Sequence, residues 1–97
     1  MKRDAIMIKA QDNVATALRD VGREETVTIG IGAESKQIII RDRIPYGHKF
    51  AVQDIKKGEH ILKYGEIIGR ALQDIAVGSH AHIHNIESLR GRGDLGS

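Results

Sequence analysis

Residues 51–58 read Ala51-Val52-Gln53-Asp54-Ile55-Lys56-Lys57-Gly58, and residues 71–78 read Ala71-Leu72-Gln73-Asp74-Ile75-Ala76-Val77-Gly78. The same pattern opens once earlier, as Ala17-Leu18-Arg19-Asp20-Val21, with Glu24 where the later copies have glycine. After each copy comes a β-prone or alternating stretch: Val27-Thr28-Ile29, Ile61-Leu62-Lys63 and Ala81-His82-Ile83-His84. The pattern describes a strand, a tight turn and a second strand. The Asp supplies an acceptor at the strand end, and the turn needs Gly where φ is positive. The apolar residues flanking each Asp are expected to pack inward. A helix is the rival over 12–21, because Asp12 would cap it and Val14, Ala17, Leu18 and Val21 share a helical face. The glycines that close the later copies leave no room for three helical turns, so the repeat favours strand over 14–21.

Strand signals continue on either side. Ala5–Ile8 is a short apolar run, Thr26–Ile31 alternates Thr with Val and Ile, and Gln37–Ile40 ends in three isoleucines. Gly30, Gly32, Ala33, Glu34 and Ser35 between them read as a hairpin turn. Pro45 and Gly47 punctuate the chain, and Ile67-Ile68-Gly69 reads as a strand ending on glycine. The predicted fold is mainly β, with short turns and less than about a quarter helix. One domain is expected over residues 1–85, followed by a C-terminal tail over 86–97.

The 97 residues suit one modest core and leave little room for a deep enclosed pocket. Fifteen basic residues against thirteen acidic give a net charge of +2, and the aromatics are Tyr46, Phe50 and Tyr64 alone. Such a surface lacks the basic stripe and stacking platform of a nucleic-acid binder. No cysteine is present, which excludes disulfides and thiolate chemistry. The apolar run after the basic N-terminus is too short for a signal-peptide core, and no stretch approaches a membrane span. A cytoplasmic location is the expectation.

The middle of the chain reads Ile44-Pro45-Tyr46-Gly47-His48-Lys49-Phe50-Ala51, then Asp54-Ile55, Gly58, Lys63-Tyr64-Gly65, Ile68-Gly69 and His82-Ile83-His84-Asn85. With Asp12-Asn13-Val14-Ala15 near the start, this string resembles the N-terminal SAF domain of the altronate/galactarate dehydratase family, which includes the small subunit of sulfolactate sulfo-lyase. The resemblance runs over about residues 4–94, nearly the whole chain. It implies a β-clip fold with pseudo-symmetric halves. It also implies a large catalytic subunit or domain as partner, and a β-elimination on a sugar acid such as altronate or galactarate, or on sulfolactate. The implied cofactor is a divalent metal, iron(II) with manganese(II) as substitute, held mainly by the partner. A stand-alone SAF binding module for a sugar acid or a protein is the alternative. Assembly as a homo-oligomer, with the histidine strand as its interface, is a third reading.

β-Elimination removes a weakly acidic proton next to a carboxylate, so it needs a base near neutral pKa and positive charge for the developing anion. His48, His82 and His84 are the candidate catalytic residues, on the family match more than on spacing. In a strand, residues two apart share a face, which also makes His82 and His84 candidate metal ligands. A polar strand face is the plainer reading. His80 lies outside the motif and reads as surface, as does His60. Lys49, Lys63, Tyr64 and Asn85 are the candidate substrate-binding residues. Lys49 follows a Pro-x-Gly turn that could aim it at a cleft or leave it solvated. Lys63 is otherwise a surface lysine and Tyr64 a core or interface ring. Asn85 could hold His84 or a substrate hydroxyl, or end the strand. The tripeptide Arg92-Gly93-Asp94 reads as chance, with Arg90 and Arg92 reaching toward a partner or an acidic substrate.

Overall fold

The repeat copies organise the molecule by pairing with one another. In the computed structural model, which describes residues 3–89, Ile55 and Ile75 exchange both backbone hydrogen bonds, at 2.8 and 2.7 Å. The Gly58 N–H donates to the Ala71 carbonyl and the Gly78 N–H to the Ala51 carbonyl, both at 2.8 Å. Asp54 accepts from the Val77 N–H at 3.0 Å and Asp74 from the Lys57 N–H at 2.8 Å. Each copy therefore gives its partner what it receives, which is local two-fold symmetry.

The copy at 17–24 has a mate that the sequence conceals. Residues 40–47, Ile40-Arg41-Asp42-Arg43-Ile44-Pro45-Tyr46-Gly47, pair with it in the same way. Val21 and Ile44 exchange bonds at 2.8 Å, Glu24 N–H donates to Ile40 and Gly47 N–H to Ala17. Asp20 accepts from the Tyr46 N–H at 2.7 Å. The eighth residue of every copy has positive φ: Glu24 69°, Gly47 83°, Gly58 91° and Gly78 87°. It is the third residue of a turn closed from the sixth carbonyl to the ninth N–H, a position that requires left-handed backbone.

Nine strands connect these turns, with no helix among the described residues. They are β1 (Ala5–Met7), β2 (Val14–Ala17), β3 (Thr26–Ile31), β4 (Glu34–Ile39), β5 (Lys49–Ala51), β6 (His60–Lys63), β7 (Glu66–Ala71), β8 (His80–Ala81) and β9 (Ile86–Ser88). One sheet has the order β4-β3-β1-β2-β5-β8, the other β6-β7-β9. All contacts in both sheets are antiparallel except β1 with β3. The mainly β fold is the one the sequence predicts.

Two cores lie on opposite faces of β2 and β5. Ala15, Ala17, Phe50 and Val52 join Val27, Ile29, Ile40 and Ile44 on one side. Val14 and Ala51 join Ile55, Ile61, Ala71 and Ile75 on the other. Strand alternation sends neighbouring residues to opposite faces, and a strand covered on both faces reads as a continuous apolar run.

Some expectations change. Residues 86–88, assigned to the tail, form β9 and pair with β7. Residues 90–97, including Arg90 and the Arg92-Gly93-Asp94 tripeptide, lie outside the described residues. The hairpin turn between β3 and β4 contracts to Gly32-Ala33, with Gly32 at φ 58°. Gly30, Glu34 and Ser35 belong to the ladder instead, because pairing continues down to Ile31 with Glu34. Leu18 and Leu72 do not pack inward and are 46% and 45% exposed, whereas Val52 is buried.

Candidate functional site

Strand β5 and its neighbours carry the site. The antiparallel register pairs Lys49 with Ala81 and Phe50 with His80, and one step further along it brings His48 to His82. The His48 and His82 rings stack with centroids 4.4 Å apart, and His48 and His80 at 5.1 Å. His48 Nδ1 lies 2.9 Å from His80 Nε2, a hydrogen bond in which one ring donates to the other. The ligand nitrogens of His48, His80 and His82 all lie within 4.8 Å of one another, and none of the three rings is fully exposed. His84 is exposed, with its ring tilted against His80 at a centroid distance of 5.3 Å.

The chain turns right after β8, so residues 82–85 are not a continued strand. Asn85 is buried and shapes that turn. Its amide donates to the His80 carbonyl at 2.8 Å, and its oxygen accepts from the His82 N–H at 2.9 Å. It acts on the two histidines through their backbone.

Beside the histidines is a groove of about 290 Å³ lined by Lys49, Lys63, Tyr64, Ile68, His82, Ile83, Ile86 and Ser88. Four of the sequence-derived candidates, Lys49, Lys63, Tyr64 and His82, thus meet on one surface although up to 33 positions separate them. The Lys63 ammonium sits 4.9 Å above the Tyr64 ring centre. A wider groove of about 650 Å³ lies along Gln37–Arg41 with Arg23, Glu24 and Val77. It contains no imidazole and no lysine, so the smaller groove is the candidate site.

Electrostatics keep the imidazoles there uncharged. Burial, with Lys63 nearby, lowers the Lys49 pKa from its ordinary value. Burial also lowers that of His82, aided by His48, Lys49 and His84. His80 is pushed down to about 4, chiefly by burial and then by the other imidazoles, against a small opposing effect from Asp42. His80 and His82 are therefore neutral at pH 7, ready to accept a proton or bind a cation.

Two supporting residues carry more than the sequence suggests. Buried Asp12 accepts backbone hydrogen bonds from Lys9 (3.2 Å), Tyr64 (2.9 Å) and Gly65 (2.8 Å). It pins the β6–β7 turn that presents Lys63 and Tyr64. Neighbouring Asn13 bonds the backbone of His60 and Leu62 and ties β6 to β2. Their signal in the sequence was the Asp12-Asn13-Val14-Ala15 element, which carried no role of its own. His80 had a weaker signal, two residues from the motif on the same face.

Fold and site together define a small all-β module that offers imidazoles and ammonium groups from one open surface. The chain belongs to the altronate/galactarate dehydratase SAF domain family, whose profile matches residues 3–89. It is 45% identical over 83 residues to altronate dehydratase of Bacillus subtilis, covering 86% of this chain and 16% of that protein. It is 43% identical over 54 residues to (2R)-sulfolactate sulfo-lyase subunit alpha of Chromohalobacter salexigens, covering 56% of this chain and 57% of the relative. Against galactarate dehydratase (L-threo-forming) of Escherichia coli it is 36% identical over 74 residues, covering 76% of this chain and 13% of the relative. The chain thus spans about a sixth of the length of the altronate dehydratases it matches. Among the described residues, no helix is long and apolar enough to cross a membrane.

Proposed function

We propose that this chain is the SAF module of a lyase that performs β-elimination on a sugar acid such as altronate or galactarate, or on sulfolactate, together with a large catalytic subunit. The observation that carries this reading is the meeting of Lys49, Lys63, Tyr64 and His82 on one groove beside His48. Two amines beside each other match a substrate carboxylate, whose charge grows as the neighbouring proton leaves. The Tyr64 hydroxyl would donate to a substrate hydroxyl. His82 is neutral and borders the groove, so it is the chain's candidate base, with His48 stacked against it. Asn85 holds the His82 backbone and so is a positioning residue.

The three imidazoles also suit a divalent ion such as iron(II), because neutral imidazole nitrogen is a donor that such an ion takes. Bound there or on the partner, it would supply positive charge for the developing anion. The groove is open, and Ile83 in its lining is 82% exposed, with Tyr64 also exposed. An apolar rim of this kind fits cover by a large partner.

Reconstitution tests the proposal. The pure chain with iron(II) is expected to be inactive, and activity should appear on adding the large subunit. Replacing His48, His82 or His84 by Ala should then lower turnover by about 10²-fold or more, the scale of a lost acid–base group. A chain that binds sugar acids equally well but adds nothing to the partner's turnover would instead be a stand-alone binding module.

A further inference from the structure

We propose that His48, His80 and His82 form a three-imidazole site for one first-row divalent cation, complete in this chain without a partner. The site includes His80, which the family motif omits, and not His84. Three observations support it. The three ligand nitrogens lie within 4.8 Å of one another, the one such group of three among the described residues. The His48 Nδ1 to His80 Nε2 separation of 2.9 Å is a hydrogen bond between two ring nitrogens, which needs to widen by only about 0.5 Å to reach the spacing of two nitrogens bound tetrahedrally at about 2.1 Å. Finally, the backbone that carries His80 and His82 is fixed by both polar ends of a buried Asn85, as expected for a ligand set held in advance.

Imidazole donors select zinc, nickel, cobalt or iron over magnesium or calcium, which prefer oxygen. Three protein ligands leave coordination positions open. His82 belongs to both the trio and the lysine groove, so an exchangeable position would face an acid bound there. This inference stands apart from the lyase reading: the chain could hold the ion in either case.

The experiment uses the full chain alone. Titration with Co²⁺ should show one equivalent bound with visible absorption, and Zn²⁺ should displace it. In the histidine ring ¹⁵N spectrum of the unaltered chain, Zn²⁺ should move the His48, His80 and His82 resonances and leave that of His60 in place. His80→Ala should weaken Co²⁺ binding by at least about tenfold, the smallest loss usual even for a supporting residue. If that variant does not fold, the ring spectrum of the unaltered chain decides. No binding below millimolar Co²⁺, or shifts confined to His82 and His84, would overturn the proposal.

Discussion

At the residue scale, Glu24 is informative because it sits where its three counterparts are glycine. A non-glycine residue at φ 69° carries a left-handed penalty of about 1–2 kcal/mol, partly offset because glycine loses more freedom on folding. The Glu24 side chain is exposed. Glu24→Gly should therefore stabilise the fold by about 0.5–1 kcal/mol and raise the melting temperature by a few degrees. The opposite change separates two glycines with the same turn role. A Cβ at Gly58 meets nothing within 4 Å, whereas one at Gly78 falls 2.3 Å from the Ile39 carbonyl oxygen. Gly58→Ala should cost about 1–2 kcal/mol from conformation alone, and Gly78→Ala distinctly more. Equal losses in denaturant unfolding would mean that the backbone yields at Gly78.

At the scale of elements, the β6–β7 hairpin shows how the site depends on support from a distance. Tyr64 and Gly65 both have positive φ, at 57° and 76°, the backbone of a tight hairpin turn. Their N–H groups both donate to buried Asp12. Asp12→Ala should cost about 3 kcal/mol, because three N–H groups lose a charged acceptor. Ligand affinity at the Lys63–Tyr64 end of the groove should fall even at temperatures where the variant is folded; unchanged affinity would remove Asp12 from any positioning role. The same scale explains what could be read beforehand. Copies 51–58 and 71–78 share Asp and Gly at fixed offsets, so the strand-turn-strand units were legible. Residues 40–47 replace that Asp by Arg43 and keep only Ile44 and Gly47 of the pattern, so the fourth unit appears only through its backbone pairing. His82 and Lys63 were legible through their motifs. His80 was not, because its role comes from cross-strand register with β5, and register is not written in the residues themselves.

At the scale of the whole molecule, the partly buried histidines couple stability to pH. His80 titrates near 4 in the fold, against 6.5 in an unfolded chain. Between these values the unfolded chain binds more protons, so stability is complete above about pH 6.5 and falls as pH drops toward 4. His82 is shifted in the same direction. With chelator present to keep the chain metal-free, the melting temperature should decline from pH 6.5 to 5, before most carboxylates titrate. His80→Gln should flatten that decline; an identical slope would show that the titration lies elsewhere. The two cores bear on unfolding more broadly. Because β2 and β5 wall both, neither core can be exposed while the other stays intact, and Lys49 sits in that common wall. The Lys49 wall of the groove therefore has no separate melting point, and amide protons around β5 should exchange only by the slowest, global route.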